Sequence, residues 1–101
     1  MKIAELRIQN TAANGFDVSW RLSEGDQSSY DLFLIEGGAI IERVRRSGDR
    51  MRVTLHTIAE PMKEYALLLT VRSGSRLDAV RTGFCTQRDA TVNQRTSYLW
   101  Q

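Results

Sequence analysis

Polar and apolar residues alternate with a period of two along most of this chain, and nowhere does the period of a helix take over. Ala4, Leu6 and Ile8 alternate with Ile3, Glu5, Arg7 and Gln9, which predicts a first strand of mixed character. Ala13-Asn14-Gly15 is a turn signal. Phe16, Val18 and Trp20 then point one way and Asp17, Ser19 and Arg21 the other, as in a half-buried strand with a polar outer face. The polar stretch from Ser23 to Ser29, with one glycine, predicts a loop. Tyr30 to Glu36 is apolar on both faces toward its middle, as a central strand is. Gly37-Gly38 predicts a tight hairpin into a strand from Ala39 to Arg45.

Ser47-Gly48-Asp49 predicts another turn, after which Met51, Val53 and Leu55 face inward while Arg50, Arg52, Thr54 and His56 face out. A turn around Pro61 leads to a strand from Tyr65 to Val71. The loop Arg72-Ser73-Gly74-Ser75-Arg76 precedes a last strand from about Leu77 to Thr86. Short strands at regular spacing predict an all-β fold: a seven-stranded antiparallel β-sandwich, immunoglobulin-like, with a sheet-to-sheet crossover between Val53 and Val71. At 101 residues the chain is one domain by length, assigned to residues 1–87. Residues 88–101 are polar apart from Tyr98-Leu99-Trp100 and read as a C-terminal tail or linker, the alternative being a segment whose apolar end docks on the domain or a neighbour.

Trp20 closing its strand, Tyr30 opening the third strand, and Leu55, Ile58, Pro61 and Tyr65 in an arrangement close to Leu-x-x-Leu-x-Pro-x-x-x-Tyr together resemble the fibronectin type III family. Phe84 and Thr86 are similar to that family's closing strand, and the match covers about Ile3 to Thr86. The resemblance implies that Trp20, Tyr30, Leu55, Ile58, Pro61 and Tyr65 are structural core, and that the Tyr65 hydroxyl pins the crossover turn. One residue too many separates Ile58 from Pro61, and Met62 stands where a glycine is frequent. The family also implies a non-catalytic module of a larger extracellular-matrix or cell-surface protein, acting in adhesion, recognition or spacing among neighbouring modules. The alternatives are a cytoplasmic structural scaffold, or an accessory module on an enzyme or on a bacterial or phage surface protein.

Composition narrows the chemistry. Apolar residues at 42% and charged residues at 26% describe a globular chain rather than a disordered one. A net charge of +2 is too small for a nucleic-acid footprint, so no nucleic-acid partner is expected. No apolar run approaches the ~18 residues of a membrane span, so no membrane insertion is expected. Met1-Lys2 leads straight into a strand without a signal peptide, and no Asn-x-Ser/Thr acceptor is present. Cys85 is the only cysteine, hence no internal disulfide, and a lone strand cysteine is expected to be a small buried hydrophobe.

A single histidine, His56, cannot make a zinc site with one distant cysteine. With no nucleophile elbow and no phosphate-cradling glycine loop, neither an enzyme nor a cofactor is expected. The positive signal is Arg43, Arg45, Arg46, Arg50 and Arg52 in ERVRRSGDRMR. If that segment pairs as a hairpin, four guanidinium groups share one patch, suited to a sulfated glycosaminoglycan or an acidic protein face. Glu42 and Asp49 offset part of its field. Open edge strands and the apolar tail also predict weak self-association.

Overall fold

The computed structural model describes residues 1–11 and 15–98. Ala13 and Asn14 of the expected turn, and Leu99 and Trp100 of the expected docking segment, lie outside the described residues. The described chain forms eight strands: β1 (Lys2–Asn10), β2 (Phe16–Glu24), β3 (Ser29–Glu36), β4 (Ala39–Ser47), β5 (Arg52–Leu55), β6 (Glu64–Ser73), β7 (Arg76–Cys85) and β8 (Asn93–Ser97). They make two four-stranded sheets, in the orders β5-β2-β1-β8 and β4-β3-β6-β7, and every pairing is antiparallel. This is the expected sandwich with one strand more than expected.

The core follows from alternation. Phe16, Val18 and Trp20 of β2 meet Leu32 and Leu34 of β3 and Leu67, Leu69 and Val71 of β6 between the sheets. Register shifts on either side of Ile3 let it and Ala4 both turn inward, so the period of two breaks at the start of β1. Gly37 and Gly38 take φ of 57° and 81°, the left-handed pair that a two-residue hairpin between Glu36 and Ala39 requires.

The crossover from β5 to β6 forms as expected, with a different set of inward residues. Ile58 is 60% exposed and Pro61 is also exposed, so neither belongs to the core. Ala59 is buried instead. The extra residue therefore lies before the inward position rather than after it, and Ala59, Pro61 and Tyr65 keep the spacing of the second half of the expected motif. Tyr65 is buried, and its hydroxyl accepts the Glu60 N–H at 3.2 Å, closing the turn like a tyrosine corner. Met62 holds the glycine-like conformation, φ 54°. Beneath the turn, Phe16 meets Tyr65 and Phe84 edge-on at 5.2 and 5.4 Å.

The segment after Gln87 is more than a tail. β8 pairs with β1 from Glu5↔Ser97 to Gln9↔Asn93, and Val92 and Tyr98 are buried in the core. Asn10 anchors its approach, accepting the Val92 N–H and donating to the Ala90 carbonyl at 3.0 Å. Gln94 donates to the Gly83 carbonyl at 3.1 Å, joining β8 to β7 across the open side of the sandwich. The Tyr98 N–H donates to the Ala4 carbonyl, so the chain returns to the end of the sandwich where β1 begins. Polar composition concealed this strand: an edge strand with one face in water needs few apolar residues.

Candidate functional site

The five arginines do not form one patch. Residues 48–51 cross from one sheet to the other, because β4 pairs with β3 while β5 pairs with β2. The expected hairpin is absent, and its physical reason is Gln27. This glutamine is buried in the β2–β3 loop, accepts the Trp20 indole N–H at 2.8 Å and donates to the Arg50 and Gly48 carbonyls. Gly48 N–H donates to the Ser28 carbonyl, and the Trp20 N–H to the Met51 carbonyl. The turn is thereby held against β2 and β3, and Met51, expected inward, is 38% exposed. Trp20 itself packs edge-on against Tyr30 at 4.7 Å. Sequence reasoning missed Gln27, since a glutamine in a polar loop carries no signal of burial.

Each arginine has its own surroundings. Arg52 bridges to Asp17 at 2.6 Å on the outer face of the β5-β2-β1-β8 sheet. Arg45 bridges to Asp31 at 2.7 Å, and Arg43 lies 5.3 Å over the Phe33 ring, both on the outer face of the other sheet. Arg46 donates to the neighbouring Arg45 carbonyl. Arg46 and Arg50 meet no carboxylate among the described residues. Arg46, Arg50 and Arg52 converge on a cleft of about 370 Å³ between the edges β4 and β5, floored by Tyr30 and Val53 and flanked by Ser47 and Thr54. A second hollow, of about 400 Å³, brings Arg45 and Arg46 together with Arg72, which sequence spacing did not place nearby.

Two carboxylates hold this edge. The hydrogen bond from Arg52 keeps the Asp17 carboxyl below its ordinary range against the opposing effect of burial, with Thr54 adding a second donor. Burial likewise disfavours the ionised form of Glu42. It is outweighed by the His56 N–H, the Thr57 hydroxyl and the Thr57 N–H, which donate at 2.8, 2.6 and 2.8 Å and hold the carboxyl below its ordinary value of 4.5. Glu42 thus ties β4 to the chain after β5, where their sheets diverge. A carboxyl whose pKa is lower in the folded state lends stability above its unfolded pKa and loses it as pH falls through the folded one. Glu42→Gln is therefore expected to cost about 1–2 kcal/mol at neutral pH, a cost that shrinks as pH falls through the range in which the folded carboxyl takes up its proton. Melting temperature against pH checks this: the wild-type curve falls more steeply below about pH 4.5 than the variant curve, and parallel curves would count against it.

Other candidate residues stand apart. His56 is exposed, as expected. Cys85 is exposed at the end of β7, not buried, because it follows inward-facing Phe84 on an edge strand. Among the described residues no three His, Cys, Asp or Glu side chains gather as a metal site requires.

No protein-family profile and no curated protein matches the chain. Solved structures similar to it include the following two. One is a computationally redesigned β-sandwich protein, with a TM-score of 0.67 at 17% identity over 86% of this chain and 95% of that one. The other is the extracellular region of rat CD45, domains d3–d4, with a TM-score of 0.60 at 19% identity over 84% of this chain. This chain spans 48% of the CD45 fragment. At such identities the likeness establishes the β-sandwich fold alone.

Proposed function

We propose that this chain is a non-catalytic recognition module of the fibronectin type III type, carried by a larger extracellular or cell-surface protein. The observation that carries the reading is the partition of strands. β1, β2 and β5 lie in one sheet and β3, β4, β6 and β7 in the other, with the crossover between them closed by the Tyr65 hydroxyl. The likeness to an extracellular region of CD45 supports the location.

The ligand surface of this reading is the cleft between β4 and β5, and its ligand is a sulfated glycosaminoglycan. Among the described residues Arg46 and Arg50 face it without carboxylate partners, and Ser47 adds a hydroxyl donor. Forked guanidinium groups suit sulfate oxygens, and attraction of this kind weakens as salt screens it. Retention on immobilised heparin tests the reading. The wild-type protein is expected to elute at a salt concentration that Arg46→Ala/Arg50→Ala lowers, with a loss of affinity of about tenfold for the two exposed charges. Arg43→Ala, on the other face, leaves retention nearly unchanged. Equal retention of the double variant and the wild type would sink the assignment.

A further inference from the structure

We propose that the outer face of the β4-β3-β6-β7 sheet docks an acidic protein segment, seated on Phe33 and Leu68 and held by the guanidinium groups around them. The two outer faces of the sandwich differ in kind. In the other sheet, the outward residues of β1 and β2 are polar, from Glu5 and Arg7 to Asp17, Ser19 and Arg21. In this sheet, Tyr30, Leu32 and Leu34 of β3 fill the core, yet the alternate residues Phe33 and Ile35 are also apolar and point outward, only partly covered. Leu68 and Ala66 of β6 do the same. A strand apolar on both faces is normal where layers cover both. Here, among the described residues, no second layer covers the outer face.

The register assembles these residues into one surface. Arg43, Phe33, Leu68 and Arg81 form a row across the four strands. The next row runs Ile40, Ile35, Ala66 and Gly83, with Ile40 60% exposed. Each row thus offers an apolar middle, and the first has a guanidinium at either end. A hollow of about 280 Å³ between Ile35, Gly38, Ala66, Arg81 and Glu64 can take one apolar side chain of the segment, its carboxylates staying toward the first row, away from Glu64. The face measures about 14 Å across four strands and about 20 Å along them, enough for a short segment and less than a permanent interface needs.

Charge decides the occupant. Arg43, Arg72 and Arg81 meet no carboxylate among the described residues, and Arg45 meets only Asp31. The Arg43 guanidinium carbon lies 5.3 Å from the centre of the Phe33 ring, and a guanidinium placed there can still fork to a carboxylate. A second copy of this chain would set these arginines against their own kind. A sulfated glycan would match the rim and leave the apolar rows unfilled. An extended or helical segment carrying both carboxylates and large apolar side chains satisfies both features.

Titration of the full isotope-labelled chain, followed by amide chemical shifts, tests the proposal with three probes: a random copolymer of glutamate and tyrosine, polyglutamate, and a heparin-derived tetrasaccharide. The copolymer is expected to move the amides of Phe33, Leu68 and Arg81, to leave Arg7 and Ser19 still, and to bind about tenfold more tightly than polyglutamate through its buried rings. Leu68→Ser and Arg81→Glu should each weaken the copolymer about fivefold or more. Arg81 is exposed, so Arg81→Glu keeps the test decisive even if Leu68→Ser unfolds. Equal binding of copolymer and polyglutamate, or movement confined to other surfaces, overturns the proposal. Movement of the same amides mainly by the tetrasaccharide assigns the face to a glycan. Concentration-dependent shifts without a probe assign it to a second copy. Either of these also overturns the acidic partner.

Discussion

A chain ending at Gln87 is expected to lose most of its stability and to associate, because the cut removes a strand rather than a tail. Val92 and Tyr98 each fill the core, and their loss alone forfeits about 3–6 kcal/mol of apolar burial. A domain of this size is stable by only about 5–15 kcal/mol. The truncation also strips the outer edge of β1 from Glu5 to Gln9, leaving a row of unpaired N–H and C=O groups. Such an edge templates pairing with another chain. Urea unfolding followed by circular dichroism should show a midpoint far below that of the full chain, and light scattering should show association that the full chain lacks. Equal midpoints would mean that β8 contributes nothing to the sandwich. The direction matters for the self-association expected of an apolar tail: removing residues 88–101 is expected to create association, not abolish it.

Phe16→Ala is expected to cost about 3–5 kcal/mol, the range for truncating a fully buried aromatic whose neighbours cannot close the gap. Phe16 is wholly inaccessible and stands opposite Leu55 at the end of the β2–β5 pairing. Tyr65 and Phe84 both meet its ring edge-on, and they stack on one another at 5.5 Å. A void there lies directly beneath the Tyr65–Glu60 hydrogen bond, so the crossover loses its support along with its packing. The comparison that makes the measurement specific is Leu68→Ala. Leu68 is equally apolar but outward-facing, and its truncation is expected to cost about 1 kcal/mol or less. If the two variants lose stability equally, the division of apolar residues between core and docking face is wrong.

The sandwich was legible because inward residues repeat every second position and turns carry glycine. Phe16-Val18-Trp20 and Leu67-Leu69-Val71 read directly as buried faces, and Gly37-Gly38 as the hairpin it makes. The crossover was legible in type but not in detail. Ile58 is the better hydrophobe, yet Ala59 faces inward, since the direction in which the loop backbone turns is set by Tyr65 and by Glu42. The arginine site was legible only as a list of residues. Adjacency along the chain suggested that Arg43 to Arg52 share a patch, whereas the turn between them changes sheets.

By itself the sequence determined the fold class, the strands from β1 to β7 and the inward faces of β2, β3 and β6, because alternation is a local property that burial reads one residue at a time. Tertiary structure alone decided the rest. Whether Ser47-Gly48-Asp49 is a hairpin or a crossing depends on a buried glutamine 21 residues upstream of Gly48. Whether residues 93–97 form a strand depends on the unpaired edge of β1, more than eighty residues away in the chain. The second apolar face of β3 and β6 is written in the sequence, but only the register shows that its residues adjoin and that arginines from β4 and β7 end the row. Backbone hydrogen bonds between distant strands set these relations, and their partners are chosen in three dimensions rather than along the chain.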